Sequence, residues 1–129
     1  MPIQVVWDDD TKTTLRQIYS GKLTLQDYIT ATDTLERMAK EVSHTVHSLM
    51  DRTNVASAPG IVLPAMRYAN SHVPPNLGLR VVVKGDMFTH VLVDIGRRVA
   101  PRLIHDIQFV ETAEEGRALI AKHVKQAYS

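Results

Sequence analysis

The chain contains no cysteine. That excludes a disulfide framework, thiolate catalysis and cysteine-ligated zinc or iron–sulfur sites, and it agrees with a reducing, cytoplasmic setting. Aromatic residues are few, with one Trp, four Tyr and two Phe, too sparse for the stacking platform of a single-strand nucleic-acid binder. An excess of either charge is missing as well. With 15 Lys+Arg against 14 Asp+Glu the formal net charge is +1, so no global field draws the chain to nucleic acid or to an anionic membrane. Apolar runs are only a few residues long, and the opening MPIQVVWDDD has neither a basic n-region nor an apolar h-segment, so neither export nor a membrane span is expected. The chain has no Gly-rich phosphate loop followed by Lys-Ser/Thr, no G-x-S-x-G, no H-E-x-x-H and no visible Ser/His/acid arrangement. The expectation is therefore no enzyme and no cofactor.

What is present suits 129 residues folding as one domain without staples. Ile3, Val5 and Trp7 alternate with Gln4 and Val6, and the polar DDDTK turn leads to Leu15, Gln17 and Tyr19, a pattern that predicts a β-hairpin. Gly21 stops the second strand, and Thr24 with Asp27 forms a capping-box variant that opens a helix. Leu25, Tyr28, Ile29, Thr32, Leu35, Met38, Ala39 and Val42 then recur at helical spacing, with Asp33, Glu36, Arg37, Lys40 and Glu41 on the other face. His44 to Asp51 reads as a strand. A charge-free loop follows, and Pro64 marks a helix starting near Leu63 and running to about His72. Val73-Pro74-Pro75-Asn76 ends that helix, and Leu79 to Val83 is the candidate central strand. Gly85-Asp86 turns into a third helix capped by Asp86, with Phe88, Val91, Leu92, Ile95 and Val99 on one apolar face and Pro101 at its end. Asp106 to Val110 is the last strand, and Thr112 to Glu115 is a full capping box opening a C-terminal helix through Leu119, Ile120 and Val124. The order β-β-α-β-α-β-α-β-α predicts an α/β fold: a mixed five-stranded sheet with an N-terminal hairpin and four covering helices.

That order, with the phrases YSGKLTLQDYITATDTL, HTVHSLMDRTNV, PPNLGLRVVVKGD and IQFVETAEEGRALI, resembles the STAS domain, the fold of the anti-sigma factor antagonist SpoIIAA, and especially the SpoIIAA-like (STAS/SEC14-like) proteins of unassigned function. The phrases span nearly the whole chain, and none is a catalytic signature. In switch-type STAS domains a strand ending in an aspartate-led phrase is followed by Asp-Ser-Ser/Thr-Gly, whose second hydroxyl is phosphorylated at a helix N-terminus. Asp51-Arg52-Thr53 matches the first phrase, but ungapped counting puts Pro59 at the second acid and Ile61 at the phosphoacceptor. Ser57 is the only hydroxyl deep in the loop and is the candidate phosphosite, reached only by inventing a gap.

Ligands of open α/β sheets gather at strand carboxyl ends. Asp51, Thr53, Val55, Ser57, Gly60, Ile61, Met66 and Arg67 are therefore the candidate contacts for a ligand or partner. The resemblance implies a non-catalytic binding or regulatory domain acting on a protein partner or on itself as a homodimer. Its SEC14-like side implies instead a carrier of a small apolar ligand or lipid. The discriminator is whether Val55 to Met66 lines a closed cavity or an exposed patch. A spatial enzyme site near Asp51, Arg67 and His72 is the remaining option.

Two further clusters have plain readings. His44 and His47 are three apart in the expected strand and so face opposite ways, while His90 and Asp94 have helical i,i+4 spacing but supply only two ligands. No metal is expected. Asp8-Asp9-Asp10 reads as a solvated bend, and Arg97-Arg98 as cations at a helix C-terminus.

Overall fold

A computed structural model describes residues 2–55, 59–85 and 87–127. Five strands, β1 (Ile3–Trp7), β2 (Thr14–Gly21), β3 (Val46–Val55), β4 (Leu77–Val83) and β5 (Ile107–Val110), alternate after the hairpin with α1 (Leu25–Lys40), α2 (Pro59–Asn70), α3 (Met87–Val99) and α4 (Ala113–Ala127). The sheet order is β1-β2-β3-β4-β5, with β1 antiparallel to β2 and every other pair parallel. This is the expected mixed α/β sheet, and it is compatible with a STAS-like fold. No described helix is long and apolar enough to cross a membrane.

Because strand order follows chain order, all three parallel crossovers step in one direction. Right-handed connections then place their helices on one face of the sheet. Residues of α1, α2 and α3 accordingly share one cavity above the sheet. After the edge strand β5, α4 returns over the opposite face, where Ile120 packs with Leu49, Leu79, Val81 and Val83. On the first face α1 seals the hairpin side: Ala39 meets Leu15 and Val46, and Ala31 meets Ile3, Tyr19 and Leu23. Leu15 and Leu49 are fully buried, each contributing about 1.5–3 kcal/mol. A two-nitrogen grip of Arg117 on Asp8, both bonds 2.9 Å, ties α4 to the hairpin turn.

Helix starts follow local chemistry. The expected box at α1 is complete, with the Thr24 N–H donating to Asp27 Oδ2 (2.8 Å) and the Asp27 N–H to Thr24 Oγ1 (3.1 Å). At α4 only half of the expected box forms. The Glu115 N–H donates to Thr112 Oγ1 (3.1 Å), but the Glu115 carboxylate accepts from the Glu111 N–H (3.4 Å), one residue before the cap.

Four further expectations need correction. β3 runs four residues past Asp51, to Val55, and α2 begins at Pro59 rather than near Leu63. Pro64 therefore sits inside α2, where it leaves the Gly60 carbonyl without its helical donor. His44 lies before β3, its Nε2 2.7 Å from the Lys12 carbonyl. The inner face of α3 is also rotated: Leu92, Val93 and Gly96 are buried, whereas Val91 and Ile95 are 49% and 42% exposed. Counting large apolar residues missed this because the closest contact is made by a residue without a side chain. A Cβ on Gly96 would lie 2.5 Å from Met66 Cε. Ser57, Asp86 and the Phe88 side chain lie outside the described residues.

Candidate functional site

The sheet face beneath α1, α2 and α3 is less apolar than a core normally is. Successive inward positions of β2, β3 and β4 carry Gln17, Ser48 and Arg80, all buried. Gln17 Nε2 donates to Ser48 Oγ (2.6 Å), and the Tyr19 hydroxyl donates to Gln17 Oε1 (3.2 Å). Burial pushes the Tyr19 phenol up to about 12, with the Arg52 charge pulling the other way, so it remains a neutral donor.

Above this floor the helices do not close completely. They leave a partly enclosed cavity of about 160 Å³. Its roof is formed by Ala31 and Leu35 of α1, Val62, Ala65 and Met66 of α2, and Leu92 of α3. Small residues create the space: alanines at 31, 65 and 69 stand where larger side chains would reach the sheet. Tyr68 of α2 donates to Asp33 of α1 (2.7 Å), which fixes one helix against the other across the top.

Two irregularities in the sheet frame the cavity. Between the pairs Ile18↔Asp51 and Ser20↔Asn54, the two β3 residues Arg52 and Thr53 oppose the single β2 residue Tyr19. Such a bulge is uncommon in a parallel pair, and bulges re-aim side chains. The Thr53 N–H donates to Asp51 Oδ1 (3.0 Å), so the amide at the bulge is satisfied locally. Between Val46↔Leu77 and Ser48↔Arg80 the extra residue falls instead on β4, where Gly78 and Leu79 oppose His47. There the Leu79 N–H donates to His47 Nδ1 (3.0 Å), and the Gly78 carbonyl accepts from Arg80 (2.5 Å). Burial first, and the neighbouring His123 second, hold His47 below its usual pKa, so the ring is neutral with its proton on Nε2.

Each bulge places an arginine on the cavity wall. Arg80 is 5% exposed, and besides Gly78 it donates to the carbonyls of Leu103 (3.1 Å) and Arg102 (2.9 Å). Burial lowers its pKa, with Asp106 opposing the shift. Arg52 is half-buried. Among the described residues its guanidinium reaches only the Tyr28 hydroxyl, at 3.3 and 3.4 Å, and lies 5.2 Å from the centre of the Tyr19 ring. Its buried Nε has no partner among them. Neither arginine pairs with a carboxylate among the described residues.

Of the contacts expected from the sequence, Met66 lines this cavity, and Val62 from the same segment joins it. The others are scattered. Asp51 lies on the α4 face, two positions after Leu49, and Thr53, Gly60 and Arg67 are exposed. Val55 packs by Tyr19 and Leu23, and Ile61 is half-buried. Asp51 and His72 stand on opposite faces of the sheet, and the His72 ring stacks on Tyr68, so the three residues of the enzyme option do not meet. His90 stacks on Phe109 (3.9 Å) while Asp94 pairs with Arg97. Among the described residues no group of three or more His, Asp or Glu is placed to hold a metal ion.

Sequence reasoning missed Gln17, Ser48, Arg52 and Arg80. The signal was a polar residue at an inward position in three consecutive strands. The strand-end rule also pointed away from the cavity, because it describes sheets whose strand order reverses, and this order never does. Comparison with protein-family models and with curated proteins gives no match for the chain.

Proposed function

We propose that the chain is a non-catalytic, STAS-like binding domain that carries a small, mainly apolar ligand in the cavity beneath α1, α2 and α3. The observation that carries this reading is the inward turn of Val62, Ala65 and Met66. These three side chains line a partly enclosed space, and a cavity this size, walled mainly by apolar atoms, binds a benzene-sized guest. Paired native and denaturing mass spectra of protein from its own host should show extra mass that leaves on unfolding. Benzene at saturation should raise the melting temperature of wild type and leave Ala65→Phe, whose ring occupies the space, unchanged. A bare protein that benzene does not stabilise would sink the reading.

A second reading, a domain acting through contact with a regulatory protein or a second copy of itself in the cytoplasm, is supported by Val91 and Ile95 side by side on the outside of α3. Native spectra at twice the chain mass that return to single mass in Ile95→Glu would favour it.

A further inference from the structure

We infer that the ligand is a small carboxylic acid whose carboxylate sits on Arg52, with its hydrocarbon part lying among Met50, Ala65, Met66 and Val82. This rests on the ligand-carrier reading above and names the ligand's chemistry. The cavity has two cationic walls. Parallel pairing puts Ser48 level with Arg80, so Arg52 lies four residues further along β3, about 13 Å away along the strand direction. At the Arg80 end the charge is already dispersed over three backbone carbonyls, from Gly78, Arg102 and Leu103. At the Arg52 end two long bonds converge on one neutral hydroxyl, and a buried Nε has no acceptor among the described residues.

A partly desolvated guanidinium next to an apolar space is costly unless an anion completes it. Its planar donor fork matches two carboxylate oxygens. One uncommitted cation calls for one negative charge, which favours a carboxylate over a doubly charged phosphate. Tyr19 and Tyr28, whose rings lie 5.9 Å apart, hold the guanidinium between the strand and α1, and the bulge at Arg52–Thr53 is what sets its position. The cavity volume limits the tail: about six carbon atoms, as a ring or a short chain, fill a space of this size. Arg16, the other arginine with an unpartnered buried Nε, follows one residue after Leu15 on β2 and so lies on the opposite sheet face, with no part in this cavity.

The test compares hexanoate with 1-hexanol, equal in length and differing in charge, by titrating each into isotope-labelled protein and reading dissociation constants from amide shifts. Wild type should bind hexanoate at least about tenfold more tightly, the worth of one charge-assisted pair. Arg52→Met should bind the two alike, with hexanol affinity retained, and Arg52→Lys should keep part of the preference. Equal binding of acid and alcohol by wild type overturns the anion site and leaves the ligand-carrier reading standing. Binding of neither overturns both. A preference that survives in folded Arg52→Met overturns the assignment to Arg52. The wild-type comparison needs no variant and decides the matter even if Arg52→Met fails to fold.

Discussion

The Arg80 and Arg52 ends of the cavity use the same two parts, a bulge in the sheet and an arginine beside it, and finish them differently. At the Arg80 end every loose group is consumed. The bulge amide of Leu79 donates to His47, the bulge carbonyl of Gly78 accepts from Arg80, and the rest of that guanidinium fastens the 102–103 turn to the sheet. At the Arg52 end the bulge amide is closed by Asp51, but the guanidinium is left with a tyrosine hydroxyl, an aromatic face and an unpartnered nitrogen. A buried cation that is fully bonded within the chain serves the fold, because removing it strands its acceptors. One left short of acceptors has capacity to bind something else.

That contrast is broken most severely at Arg80. Arg80→Met leaves three carbonyls without their donor, and we expect a loss of about 3 kcal/mol in urea unfolding. Arg52→Met should change stability by less than about 1 kcal/mol, since it removes two weak bonds and one unmet nitrogen together. Equal losses in the two variants would erase the distinction.

Gly78→Ala strikes the closed bulge without touching a charge. The added Cβ would lie 2.7 Å from both His47 Nδ1 and Thr45 Cγ2, so the ring must move off the Leu79 amide at a cost of about 2 kcal/mol. A melting curve indistinguishable from wild type would show that the bulge tolerates what its geometry forbids.

The smallest effect is a pH dependence at the same bulge. His47 is held below its usual 6.5, so the unfolded chain takes up the proton more readily than the folded one. Stability from this group is complete above pH 6.5 and is lost as pH falls from there towards the lowered folded value. Urea midpoints of wild type should therefore drop between about pH 7.5 and about pH 5.5, and His47→Gln should show less of that drop. An equal slope in the variant would remove His47 as the cause.

These effects also mark how far the sequence could be read. The hairpin, the Thr24–Asp27 box and the VVV strand were legible because each depends on neighbours a few residues away: a turn, a cap, a run that only a doubly covered strand would carry. The inner face of α3 was not legible. Its contact is set by Gly96 against Met66, thirty positions back, and the large apolar residues that signal a buried face stand outside it. Nor was the bulge in β3. Asp51-Arg52-Thr53 looks like the end of a strand in the sequence, and only pairing with Tyr19 shows that one residue too many has been fitted in.

The sequence by itself determined the order and type of the elements, because periodicity and caps are local or nearly so, whereas which helices share a face followed from the strand order of the folded sheet. Only the tertiary structure decided that Arg52 and Arg80 line the same cavity and that one is satisfied and the other is not. Register, a one-residue slip and the gap between three helices are properties of pairing across the fold, and no stretch of the chain contains them alone.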